Sequence, residues 1–111
     1  VSDSKLKFFV SEENGEITGF AVNRVQDGSA MELVGIIVRD DLLGKGIGSL
    51  LISRCVDSAR DPGFASMVVK TEASNERAIS FYMKRGFVRI GNAVETVENS
   101  KIDLAMLRLV L

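Results

Sequence analysis

Between Val38 and Leu51 the chain reads VRDDLLGKGIGSLL, and the character of the sequence changes across that segment. Before it lie three apolar stretches parted by tight-turn dipeptides. Lys5–Glu12 reads as a strand followed by Asn14-Gly15, Ile17–Gln26 as its returning partner followed by Asp27-Gly28, and Met31–Val38 as a third strand. The third closes on Val34, Ile36, Ile37 and Val38, the kind of run expected of a central strand covered on both faces. After the segment, Ile47, Leu50, Leu51, Cys55 and Ala59 recur at helical spacing until Asp61-Pro62-Gly63 stops the helix. Gly44, Gly46 and Gly48 therefore fall where a strand must turn into a helix. Downstream, Ala65–Thr71 reads as a strand and Asn75–Arg85 as a second helix with Asn75 as N-cap and Gly86 at C′. Phe87–Gly91 and Ile102–Leu109 read as two closing strands. This order predicts one α/β domain over residues 1–111, with a mixed sheet that is antiparallel at its start and parallel between the third and fourth strands.

The junction also carries chemistry. Glycine lets backbone approach a ligand closely, and the first amides of a helix have no partner inside it. Together with the helix dipole they suit an anion such as a diphosphate; the plain alternative is a tight turn into a helix. A P-loop is excluded because Gly44-Lys45 is followed by Gly46 rather than Ser or Thr. A dinucleotide fingerprint starting at Gly44 fails at Ser49, and three strands precede it where none should.

Composition narrows the remaining classes. The chain has no histidine and one cysteine, which excludes a Cys/His zinc site and any triad that needs His. A net charge of −1 gives no footprint for nucleic acid. No apolar run is long enough for a membrane span, and the start VSDSKLKFFV has no signal-peptide shape. A lone cysteine fits a reducing cytoplasm, and Cys55 sits among Leu51, Ile52, Val56 and Ala59, so it reads as a core thiol rather than a nucleophile.

A second segment, TEASNERAISFYMKRGF, follows one strand later. Taken with VRDDLLGKGIGSLL, and through Asn75, Ala78, Phe81, Tyr82 and Gly86-Phe87, the chain resembles the GNAT superfamily of acetyl-CoA-dependent N-acetyltransferases over nearly its whole length. The resemblance implies a fold whose third and fourth strands splay around the cofactor, and an enzyme that moves an acetyl group from acetyl-CoA, with no metal, to an amine. It implies that backbone groups of Ile36, Ile37 and Val38 pair with the pantetheine arm. It assigns the diphosphate to amides of Gly44, Lys45, Gly46, Ile47, Gly48 and Ser49, with Lys45 also a charge partner. Asn75 would contact the cofactor, and Tyr82 would act as general acid toward the leaving thiolate.

Glu32, on the third strand, is the candidate base, with Glu72 as a second. The family's usual Gln or Arg is replaced here by Leu43, which removes a side-chain contact and leaves the backbone cradle. Members that acetylate ribosomal-protein N-termini carry Glu five residues before the Asn; Lys70 stands there, which argues for a small-molecule amine instead. The N-terminal strand and helices that shape the family's acceptor pocket are missing from these residues, and a homodimer is compatible with the reading. The rival is a non-catalytic acetyl-CoA sensor or assembly module.

The MKR run at Met83–Arg85 reads as a charge cluster favourable to the C-terminal end of the helix dipole, with no binding role required.

Overall fold

The computed structural model describes residues 6–111. Its elements are β1 (Leu6–Glu13), β2 (Glu16–Val25), β3 (Ala30–Val38), a 3-10 turn (Asp40–Leu42), α1 (Ile47–Arg60), β4 (Ser66–Glu72), α2 (Glu76–Met83), β5 (Val88–Val97) and β6 (Ser100–Val110). They form one mixed sheet in the order β1-β2-β3-β4-β6-β5. The first three strands are antiparallel, β3 and β4 are parallel, and β6 runs antiparallel between β4 and β5. Lys5, expected to open the first strand, lies outside the described residues.

Strand alternation sends one set of side chains to the helices. Ala21, Leu33, Met67, Val69, Ala105 and Leu107 from the sheet meet Leu51, Ile52, Cys55 and Ala59 of α1 and Tyr82 of α2 in a single buried cluster. Both helices therefore cover the same face. Asn23, fully buried, donates its Nδ2 to the Cys55 carbonyl at 3.1 Å and ties β2 to α1. The opposite face carries Phe8, Val10, Phe20 and Val34 exposed to solvent among the described residues. β3 is central in the sheet but is not covered on both faces, because among the described residues only one face receives helices; Val34 and Ile37 are exposed.

Each helix ends on a glycine in the left-handed region. Gly63 has φ 96°, with the Phe64 amide bonded to the Ala59 carbonyl at 3.1 Å and the Gly63 amide to Arg60 at 2.9 Å. Gly86 repeats the geometry with φ 96°, the Phe87 amide on the Tyr82 carbonyl and the Gly86 amide on Met83. These are Schellman closures, and the apolar contact that accompanies them is the Tyr82–Phe87 ring pair, 5.5 Å between centroids. The closing hairpin is longer than expected. β5 runs on to Val97 and β6 begins at Ser100, joined through Glu98 and Asn99, both at positive φ. A two-residue turn with both centres at positive φ favours Asn-Gly or Gly-Gly, and without a glycine it left no mark in the sequence.

One close approach fixes where α1 lies. A Cβ on Gly19 would stand 2.9 Å from the Ile37 carbonyl oxygen, 3.2 Å from Leu51 Cδ1 and 3.3 Å from Ile47 Cγ2. Only glycine lets the start of α1 rest directly on β2 and β3. Gly19→Ala is expected to cost about 1–3 kcal/mol, the usual penalty of overpacking. A drop in the urea midpoint with an unchanged slope would register that loss; an unaltered midpoint would mean that α1 shifts freely.

Candidate functional site

β3 and β4 pair only from Ala30–Ser66 to Leu33–Val69. Immediately afterwards the β2–β3 ladder holds an extra residue: Asn23 opposes Leu33 and Val22 opposes Gly35, leaving Val34 as a bulge. A bulge bends its strand, so β3 departs from β4 at that point. Gly35–Val38 stay bonded to β2, and Lys70–Glu72 stay bonded to β6. The edges that face each other across the gap are open, and an extended polar chain can pair there as a strand does.

The gap leads to the glycine turn. Gly44 and Gly46 have φ 82° and 87°, where a side chain is strained, and Gly46 is the N-cap of α1. No side chain caps α1, so the amides of Ile47, Gly48 and Ser49 face outward unspent. The second helix differs: Asn75 Oδ1 accepts from the Ala78 amide at 3.1 Å. That bond fixes the Asn75 side chain and leaves its Nδ2 as a donor. Ahead of the turn, Arg39 grips Asp41 through two bonds of 2.7 and 2.8 Å and reaches Glu16 at 3.3 Å. The guanidinium holds the Asp41 carboxyl below its usual range, and the pairing braces the loop that feeds the cradle.

Together these parts enclose a cleft of about 710 Å³ between β3, the glycine turn and α2. Asn75 and Tyr82, two helical turns apart, both line it, as do Ile36, Ile37, Val38, Gly44, Gly46, Ile47, Gly48 and Ser49. Among the described residues no Asp or Glu lines it, whereas Arg77 and Arg85 do. Tyr82 is 7% exposed, packed edge-on against Phe81 and Phe87, and its hydroxyl bonds to no other described residue. Burial, with a smaller contribution from nearby Cys55, pushes its phenol up to about 12. The hydroxyl is therefore protonated throughout the working range, as a proton donor must be.

Three sequence candidates lie elsewhere. Lys45 is on the cradle loop, but its exposed side chain is not part of the cleft wall. Glu32 projects from the start of β3, where Arg24 binds it at 2.6 Å, and it too is outside the wall, as is Glu72. Leu43 stands in the wall as an apolar side chain, 42% exposed. Arg85, which by sequence reads as a helix-end charge with no binding role required, lines the cleft. The available signal was its spacing of four from Phe81, which puts the two on one stripe of α2. Gly19 was also missed, since nothing local marks a strand glycine on which a helix will rest.

Residues 1–87 match the model of the acetyltransferase (GNAT) family, and the chain belongs to that family. It is 40% identical over 83 residues to the L-amino acid N-acyltransferase MnaT of Escherichia coli, covering 71% of this chain and 48% of that protein. The structure of yncA from Salmonella typhimurium with its cofactor acetyl-CoA is 30% identical and superposes with a TM-score of 0.81, covering 94% of this chain and 64% of that one. A GNAT family acetyltransferase from Elizabethkingia anophelis with acetyl-CoA bound has the same fold at 20% identity, TM-score 0.85, covering 99% of this chain and 79% of that one. The chain spans about half the length of the curated relatives it matches.

Proposed function

We propose that the chain binds acetyl-CoA in the β3–β4 cleft and transfers its acetyl group to a small primary amine. The observation that carries this reading is the break in the sheet beside an uncapped helix N-terminus. An extended amide-bearing arm that ends in a diphosphate needs an open backbone edge followed by a cluster of amides. Ile36, Ile37 and Val38 offer the first, and Gly44 through Ser49 the second, in a wall free of carboxylates among the described residues. Asn75 Nδ2 is the polar contact for the arm. Acetyl-CoA, when bound, supplies the activated thioester.

Tyr82 is the residue we assign to protonate the leaving sulfur, and backbone amides of β3 are the donors that polarise the thioester carbonyl. Glu32 is engaged by Arg24, so the attacking amine sheds its proton to solvent rather than to a residue of the wall. The acceptor class follows the Escherichia coli relative, which is named for L-amino acids.

Thermal denaturation with acetyl-CoA, followed by thiol release against a panel of amino acids and other primary amines, tests the reading. At roughly 100 times Kd the ligand should stabilise the fold by about 2.7 kcal/mol. Stabilisation without thiol release on any amine would leave a binding module only, and no stabilisation would remove the cofactor assignment.

A further inference from the structure

Arg85 lies just beyond the last turn of α2, half-buried, and three contacts hold its guanidinium. Nη1 donates to the Phe81 carbonyl at 2.7 Å, Nη2 donates to Ser49 Oγ, and the guanidinium carbon stands 3.7 Å above the Phe81 ring. Phe81 in turn touches the start of α1, since a Cβ on Gly48 would meet its ring at 3.4 Å. The last turn of α2 is thereby joined to the first turn of α1, at the residue whose amide belongs to the open cluster.

No carboxylate pairs with Arg85 among the described residues, although Arg24 has one and Arg39 has two. Its partners are a hydroxyl, a carbonyl and an aromatic face, all neutral. Arg85 and Ser49 also line a second groove of about 580 Å³ on the far side, where Arg60 and Lys84 bring further positive charge against a single acidic residue, Asp57. The Arg85–Ser49 contact is thus the shared wall between the cleft and a cationic groove.

A half-buried cation without a counter-ion, one bond from unspent helix amides, has the surroundings of a phosphate ligand in waiting. We infer that Arg85 is a specificity-determining residue that binds a phosphate of the nucleotide cofactor, exchanging its Ser49 contact for that anion. This rests on the acetyl-CoA reading of the cleft and adds to it the residue that recognises the charged end. The phosphate is either the diphosphate at the cradle or the 3′-phosphate reaching into the groove of Arg60 and Lys84.

The test compares dissociation constants, by calorimetry, for acetyl-CoA, acetyl-dephospho-CoA and S-acetylpantetheine. Arg85→Met should weaken acetyl-CoA binding about tenfold to a hundredfold and leave S-acetylpantetheine, which has no phosphate, unaffected. The salt dependence of acetyl-CoA binding should flatten in the variant. A loss that persists with the dephospho ligand assigns the diphosphate; a loss confined to acetyl-CoA assigns the 3′-phosphate. Arg85→Gln, which keeps amide donors toward Ser49 and the Phe81 carbonyl while dropping the charge, should behave as Arg85→Met does and decides the matter if the latter fails to fold. An unchanged ratio of acetyl-CoA to S-acetylpantetheine affinity in a folded variant overturns the inference and leaves Arg85 a helix clamp. Failure of the unaltered chain to bind acetyl-CoA at all removes the cofactor reading itself.

Discussion

Tyr82→Phe is expected to lower kcat for acetyl transfer by about a hundredfold to ten-thousandfold while acetyl-CoA affinity stays nearly unchanged. The substitution removes one hydroxyl and leaves the ring in place between Phe81 and Phe87. Such a split between rate and affinity marks an interaction made only in the transition state. Burial raises the phenol to about 12, whereas a free thiol ionises near 8.5. Proton transfer from so weak an acid runs uphill toward a solvated thiolate. A thiolate released into the same cleft is desolvated as well, and its own affinity for the proton rises with that of the phenol. The mismatch seen in water therefore narrows inside the cleft. It also fixes a pH signature: burial moves the Tyr82 deprotonation limb above the ordinary phenol value of about 10. Full turnover by Tyr82→Phe, or a limb at pH 10 that the substitution abolishes, would each contradict the assignment.

The parts of this fold that could be read from the sequence are those fixed by local chemistry. Asn14-Gly15 and Asp27-Gly28 mark the turns of the meander, and Gly63 and Gly86 close both helices in the left-handed conformation. Asn75 caps α2 through its own side chain, as its place before an apolar helical pattern implies. The cleft was legible for the same reason, because glycines at a strand-to-helix turn and two polar residues seven apart on a helix are local facts.

The features with no local signature depend on distant partners. The bulge at Val34 exists only relative to β2, so the splay could be expected from resemblance but not from the residues themselves. Gly19 matters only because Ile47 and Leu51 arrive above it. The second half of β5 is exposed almost throughout and shows no alternation to read. Arg85 needed Ser49, thirty-six residues earlier, to show that its charge points into the cleft rather than to solvent.

The buried pair at the centre of the domain carries the other large effect. Cys55 is fully buried and burial pushes its thiol up to about 12 from 9.0, while Tyr82 rises to about 12 from 10.0. Both groups are neutral when folded and lose their protons more readily when unfolded. Their contribution to stability is complete below pH 9 and is lost as pH rises from 9 toward 12, since in that window the unfolded chain binds fewer protons than the folded one. Each pH unit above 9 should cost about 1.4 kcal/mol through Cys55, and each unit above 10 about as much again through Tyr82. At pH 11 the two together remove about 4 kcal/mol, a large share of a total stability on the order of 5–15 kcal/mol. The chain contains one cysteine and one tyrosine, so Cys55→Ala removes the thiol's contribution outright, together with its smaller part in raising the Tyr82 phenol. Cys55→Ala should delay the onset of the decline by about one unit, to pH 10, at the expense of a cavity penalty that is the same at every pH. Urea titrations from pH 8 to 11, followed by circular dichroism, measure this directly. A decline beginning at pH 9 in Cys55→Ala as in the parent chain would show that the thiol is not the group that titrates.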